Sequence, residues 1–395
     1  MSPPSTQTMA CLALFAALQS RIFFSKDAQY LEIRPQSAED VAEIINVTKP
    51  FALAGKIMMA IRGGGHMPWA GAANLDAEVT VDFQNITGVN YDPRTNLVSI
   101  GSGERWAAIY SALDQLDLGV AGGRVSKLPL ASGEIVEANT QSHPDLFHAL
   151  RGGNNNFGII TRFDMQTFPE GQMWGGLVSH NGNAFPDVAK TFINFAQTSN
   201  PDPLAHVIAA ASFIQGMEVA LANFYPAKPQ PDPPSLAPFV AIQPQLMSTV
   251  RDDSLLGFSV EQSSFSPDGA RSWFFTTTWQ ADLDFMLSVR ALGAEAVAPL
   301  SASVPGFVLA KAFRPLTRWL LTASAAGGGN TLGLTPNDGP LIVNMLQTLH
   351  TNAADNDKVV SAMLALNTSI EDLAVEKGKF NKYKFINYGY KIPGL

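Results

Sequence analysis

Apolar residues up to Pro169 recur with two alternating periods, which predicts short strands interleaved with helices. Val41, Ile44 and Ile45 repeat at helical spacing, and Ser37-Ala-Glu-Asp40 places a capping serine three residues before an acid. A helix is therefore expected over residues 33–48, after a strand end. Short apolar runs at 56–61, 79–82 and 97–101 read as strands. Trp106, Ile109, Tyr110 and Leu113 predict a helix over 105–116. A turn is expected at 119–124 and a hairpin over 127–138 around Ser132-Gly133. The apolar stretch 147–150 leads into a second glycine turn, Arg151-Gly-Gly-Asn-Asn-Asn-Phe-Gly158, followed by a strand over 159–168. Strands alternating with helices make this an α+β region.

The pattern changes after Pro169. Residues 173–365 mix apolar runs at 207–213 and 219–224 with amphipathic helices. Residues 226–238 hold so many prolines that neither a helix nor an inner strand is expected there, and a surface loop is the reading. At 395 residues the chain exceeds one ordinary core, so two domains are expected.

Composition narrows the function. With 46% hydrophobic and 15% charged residues the chain has the make-up of a soluble globular protein. A net charge of −8 speaks against a nucleic-acid partner, which needs clustered Lys and Arg. No apolar run reaches the ~18–20 residues of a membrane span. Cys11 is the only cysteine, so no intrachain disulfide forms, and the six histidines lack metal-site spacing; no metal is expected. Residues 9–18 have the length of a signal core but lack preceding positive charge, so a buried first helix is the reading and the compartment stays open between cytoplasmic and secreted or endomembrane.

Candidate chemistry concentrates at residues 61–71. Gly63, Gly64 and Gly65 follow a predicted strand, where freed backbone amides can form a nest for phosphate oxygens. His66 adds an imidazole that is nucleophilic near neutral pH. A structural turn with an idle histidine accounts for the same residues. The Gly152–Gly158 segment offers amide donors and acceptors suited to a ribityl chain or an adenine edge, or to satisfying its own loop. A nicotinamide dehydrogenase ranks last, because no Gly-x-Gly-x-x-Gly lies between a strand and a helix with a ribose-binding acid beyond it.

Several segments, in order, resemble the FAD-linked oxidoreductases of the p-cresol methylhydroxylase/vanillyl-alcohol oxidase superfamily, closest to the berberine-bridge-enzyme-like branch. They include Arg62-Gly-Gly-Gly-His-Met-Pro-Trp-Ala-Gly71, Val79-Thr-Val-Asp82, Gly101-Ser-Gly-Glu-Arg-Trp106, Gly122-Gly-Arg124, Leu130-Ala-Ser-Gly-Glu-Ile135, Asn155-Asn-Phe-Gly-Ile-Ile160 and Phe385-Ile-Asn-Tyr388. The resemblance implies a bilobal α+β fold. Residues 1–172 would form a PCMH-type FAD-binding domain, 173–368 an α/β substrate domain, and 369–395 a segment returning to the FAD domain. Residues implied to touch FAD are Arg62, Gly63, Gly64, Gly65, His66, Met67, Gly71, Gly153, Asn155, Gly158, Ile160 and Asn387. His66 matches the histidine that many members bond to the flavin 8α-methyl, a tether that raises the flavin potential. Tyr388 is implied as a pocket phenol near the ring, with core packing as its other reading.

The implied activity is an oxidase: hydride transfer from a small organic, secondary-metabolite-type substrate to flavin N5, with oxygen as electron acceptor. A cyclisation without net redox change is neither supported nor excluded by the residues. Three departures point the other way. The glycine-rich wall expected after Gly122-Gly-Arg124, with its second cofactor-linking cysteine, is absent; the region around residues 30–35 is short; and Phe385 stands where a tyrosine is usual, close to the end of the chain. They carry the alternative of a catalytically impaired or non-catalytic relative, and the expectation of weaker FAD retention and lower stability than in an intact relative.

Overall fold

The computed structural model describes residues 22–24, 31–66, 72–75, 78–120, 125–130, 132–214, 216–226, 231–265 and 269–390. Contacts divide the chain into one unit of residues 1–169 with 330–332 and a second of 170–329 with 333–395. The fold class is α+β. The predicted first helix and the turn at 121–124 lie outside the described residues, as do Cys11, Met67, Gly71 and part of the proline-rich loop.

In the first unit, strands β1 (Ile22–Phe24), β2 (Leu31–Ile33), β3 (Met59–Arg62) and β4 (Val79–Asp82) form a sheet in the order β1-β2-β4-β3. β4 runs parallel to both β2 and β3. Parallel neighbours need a crossover, and helix α1 (Ala38–Leu53) supplies it between β2 and β3. Its start follows the predicted cap. The Ser37 hydroxyl accepts from the Asp40 amide, and the Asp40 carboxylate accepts from the amide of Gln36. Val41, Ile44 and Ile45 bury against Ile33, Val79, Val81 and Phe83. The helix runs past its expected end because Pro50 enters only in its last turn.

The same unit holds an antiparallel sheet of β5 (Val89–Asp92), β6 (Leu97–Gly101), β7 (Leu118–Val120), β8 (Val125–Pro129), β9 (Ile135–Val136) and β10 (Arg162–Pro169). β6 and β8 flank β10, which also pairs with β7. The expected hairpin is present, with Leu128 opposite Val136. Helix α2 (Trp106–Asp114) sets Ile109 and Leu113 against Val98 and Ile100. Helix α3 (Pro144–Leu150), absent from the sequence reading, turns only Phe147 fully inward.

The second unit is built on a long antiparallel sheet. Its strands are β11 (Met173–Asn181), β12 (Val207–Ile214), β13 (Met217–Phe224), β14 (Met247–Ser248), β15 (Arg251–Asp253), β16 (Arg271–Gln280), β17 (Val308–Leu316), β18 (Leu341–His350) and β19 (Phe380–Asn381). They follow the order β14-β11-β13-β12-β17-β18-β16-β19, with β15 also on β11. Helices α4 (Phe185–Gln197), α5 (Leu283–Ser301) and α6 (Asn356–Glu376) share one core with Phe275, Trp279, Phe313, Ile342 and Leu346 of the strands. Side chains alternate along a strand, so the residues next to these point to the opposite face. The described residues from 369 onward belong to this second unit, where a return to the FAD domain was expected. β19 pairs with β16 at the sheet edge, and Lys379 bridges to Asp282.

Lys311 of β17 is buried on the helix-covered face. Its ammonium lies 3.6 Å from Glu218, which Arg290 already holds at 2.6 Å. Gly293 in α5 makes room for it, since a Cβ there would sit 2.5 Å from the lysine stem. Burial lowers the lysine pKa, with Glu218 partly opposing. Below that lowered pKa the full desolvation penalty is present; stability then rises with pH until the unfolded-state lysine titrates. Lys311→Met is thus expected to stabilise by about 1 kcal/mol at neutral pH and to remove that alkaline rise, as read from melting curves across pH.

Candidate functional site

The strongest cluster of predicted residues lies where β3 ends. Arg62 closes the strand, and its guanidinium is committed to protein: it reaches Asp82 at 2.6 Å, Glu32 at 2.8 Å and Asn74 at 2.6 Å. Glu32 and Asp82 are buried on the two neighbouring positions of the sheet. Arg62 therefore anchors the strand end instead of presenting a free charge.

Gly63, Gly64 and Gly65 follow as an irregular turn, and Gly65 takes φ +70°, a left-handed conformation that glycine adopts without strain. The amides of these glycines donate no hydrogen bond to the described residues. On the other side of the turn, Arg105 donates to the Gly64 carbonyl at 2.9 Å. A turn whose carbonyl is tied down and whose N–H groups stay free has the donor set of an anion nest.

Ser102 stands beside it. A Cβ on Gly63 would lie 3.2 Å from the Ser102 carbonyl oxygen, so the two segments are in close approach. The Ser102 hydroxyl is buried and has no hydrogen-bond partner. Its amide donates to the Thr161 carbonyl at 3.1 Å, bringing in the end of the asparagine loop. Gly103 packs so tightly that any Cβ would collide with the Phe83 carbonyl. Free amides and an orphaned buried hydroxyl fit the phosphate and ribityl oxygens of FAD. Ser102 and Arg105 were not among the expected site residues; the Gly101-Ser-Gly103 spacing was the available signal.

The remaining expected residues are placed as follows. His66 is exposed, one residue beyond the glycine turn, and its ring has no polar partner among the described residues. The asparagine loop forms a 3-10 turn over Asn154–Asn156, with Gly153 at its N-cap and the Asn156 amide donating to the Gly153 carbonyl. Asn155 lies within that turn. Gly153 leaves no room for a side chain, since a Cβ would meet the Phe157 ring and the Ala149 carbonyl. Gly158 has φ +148°, and Ile160 packs with Leu130, Leu146 and Leu150 around Val136.

Asn387 and Tyr388 lie in the second unit, on a 3-10 turn spanning Ile386–Tyr388. Asn387 is exposed. Tyr388 packs edge-on against Phe274 and Phe385, and the Arg314 guanidinium lies 5.3 Å from its ring centre. Burial raises the Tyr388 pKa and Arg314 partly offsets it, so the phenol is protonated at neutral pH. Among the described residues no group of three or more His, Cys, Asp or Glu could hold a metal. No described helix is long and apolar enough to cross a membrane.

A cavity of about 500 Å³ also opens in the second unit, lined by Phe195, Phe239, Trp319, Tyr225 and His206, and it contains none of the expected residues. Burial, with the charge of Arg314, pushes His206 down to about 4. Its unfolded-state pKa lies near 6.5, so the unfolded chain binds the extra proton first as pH falls. Stability is then lost between about pH 6.5 and 4, by about 3 kcal/mol in all. His206→Gln is expected to flatten the acid limb of the melting-temperature profile.

Comparison with known proteins gives a consistent picture. A family profile described as an FAD binding domain matches residues 31–127, from β2 into β8, the stretch holding the glycine turn and Ser102. The FAD-dependent monooxygenase tpcD of Cochliobolus heterostrophus is 30% identical over 395 residues, covering 89% of this chain and 75% of that protein. The glucooligosaccharide oxidase of Acremonium strictum superposes with a TM-score of 0.72 at 16% identity, covering 96% of this chain and 89% of the other. That oxidase has a 6-S-cysteinyl, 8α-N1-histidyl FAD. A berberine bridge enzyme variant, a reticuline dehydrogenase, superposes with a TM-score of 0.67 at 15% identity, covering 100% and 85%. At such identities the solved structures speak to the fold.

Proposed function

The chain belongs to the FAD-linked oxidoreductases of the p-cresol methylhydroxylase/vanillyl-alcohol oxidase superfamily, in its berberine-bridge-enzyme-like branch, and from that premise we propose that it oxidises a small secondary-metabolite-type molecule. FAD supplies the oxidant, accepting a hydride at N5 and passing its electrons to oxygen. The alternative of a non-catalytic relative is not favoured by the similarity to FAD-dependent enzymes.

The observation that carries the cofactor assignment is the glycine turn after β3, with its free amides beside the unpartnered Ser102 hydroxyl. Residues 1–172 act in this reading as the FAD-binding domain and 173–368 as the substrate domain. Arg62 fixes the strand end from which the turn departs. His66 forms the 8α-histidyl bond; its exposed ring without a polar partner and the histidyl FAD of the Acremonium strictum oxidase support this. Tyr388 serves as the pocket phenol. Protonated at neutral pH, it donates a hydrogen bond to a substrate oxygen and so holds the reacting C–H in place.

The test is anaerobic mixing of the FAD-loaded protein with a panel of phenolic and polyketide-like alcohols. Bleaching of the visible flavin band, recovery on admitting oxygen and one equivalent of peroxide are expected with at least one member. Recovery without peroxide, with heavy-isotope oxygen found in the product, would replace the oxidase reading. That second reading, an oxygenation, is favoured by the relatives described as FAD-dependent monooxygenases.

A further inference from the structure

We infer that Arg314 docks an acidic oxygen of the substrate, a carboxylate or an ionised phenol or enol, beside Tyr388. This rests on the proposed oxidation of a small organic molecule and names its chemical class. Arg314 follows Phe313 on β17. Phe313 is wholly buried in the helix-covered core, so strand alternation turns Arg314 to the opposite face. Phe274, next to the buried Phe275, points to that face too, and Tyr388 packs edge-on against it.

The Arg314 guanidinium has no carboxylate, carbonyl or hydroxyl partner among the described residues, and its Nε is buried and unsatisfied. Its closest recorded company is the Tyr388 ring, at 5.3 Å from the guanidinium carbon. The Tyr388 hydroxyl likewise has no hydrogen-bond partner among the described residues. Two donors, one of them a permanent cation, therefore stand together with no acceptor. The electrostatic neighbour is His206, which the same charge helps to keep neutral, so it does not balance the guanidinium. Elsewhere in this unit partly buried arginines are paired: Arg251 with Asp253 and Glu261, Arg290 with Glu218. A partly buried cation lacking a partner among paired ones is complementary to an anionic ligand.

Benzoate and its neutral isostere benzamide are the probes, titrated into the FAD-supplemented protein by calorimetry and tryptophan fluorescence. Benzoate is expected to bind about tenfold or more tightly than benzamide. Arg314→Gln should erase that preference, and Arg314→Lys should keep part of it. Both variants should melt like the parent, because no protein group loses a partner. Equal binding of the two probes, an unchanged preference in Arg314→Gln, or no benzoate binding would each overturn the inference. Flavin content is read on the same samples: a colourless protein that still prefers benzoate through Arg314 contradicts the FAD reading alone. A yellow protein without the preference contradicts the docking role alone.

Discussion

Replacing His66 with alanine is expected to abolish covalent attachment of the flavin while leaving the fold intact. The ring is exposed and makes no polar contact with the described residues, so its removal orphans no buried group. Acid precipitation should leave yellow colour in the pellet of the parent protein and move all of it to the supernatant in His66→Ala. Melting temperature should change little in the FAD-free form. The FAD that remains bound is held only by the turn and its neighbours, so it should exchange on gel filtration. Its ring should also be a weaker oxidant, because the tether that raises its potential is gone. Covalent colour surviving in the variant would remove His66 from the assignment.

The largest stability effect is expected at Arg62. Its guanidinium joins Glu32 of β2 and Asp82 of β4, both buried, to the end of β3. Arg62→Met keeps the stem but leaves two carboxylates facing the vacated charge. Glu32 retains Arg34, and Asp82 retains the amide of Gln84. Removing one member of a buried ion cluster typically costs several kcal/mol, and about 4 kcal/mol is expected here. The strand end also departs into the glycine turn, so FAD retention should fall together with stability. Arg62→Lys should recover the charge but not the forked geometry, placing it between the two. The checks are denaturant unfolding of the FAD-free protein and the flavin-to-protein ratio after desalting. A Met variant as stable as the parent would show that the cluster does not hold the turn.

Much of this was legible before any coordinates. The α1 cap could be read from Ser37 and Asp40, and its buried face from Val41, Ile44 and Ile45, because both depend on spacing within one helix. The glycine turn could be read because a run of glycines after an apolar segment has few structural uses. What made Arg62 an anchor could not be read. Its partners lie 30 and 20 residues away, and only the parallel pairing of β2, β4 and β3 brings them together. Helix α3 was missed for a similar reason, since so short a segment with one buried residue has little periodicity to show. Arg314 carries no local signal at all. Its meaning depends on which face of the sheet the helices cover, a property of the assembled unit. Ser102 is an intermediate case: its flanking glycines marked a tight turn, but its unsatisfied hydroxyl is visible only in three dimensions.

The central claim is that the turn after β3 holds FAD, and the most direct measurement is the absorbance spectrum of the purified protein after incubation with excess FAD and desalting. Visible flavin bands at about one flavin per chain, reduced to a fraction of that in Gly64→Asp, are the expected result. A colourless protein, or one whose flavin content is indifferent to a carboxylate placed in the turn, would contradict the account.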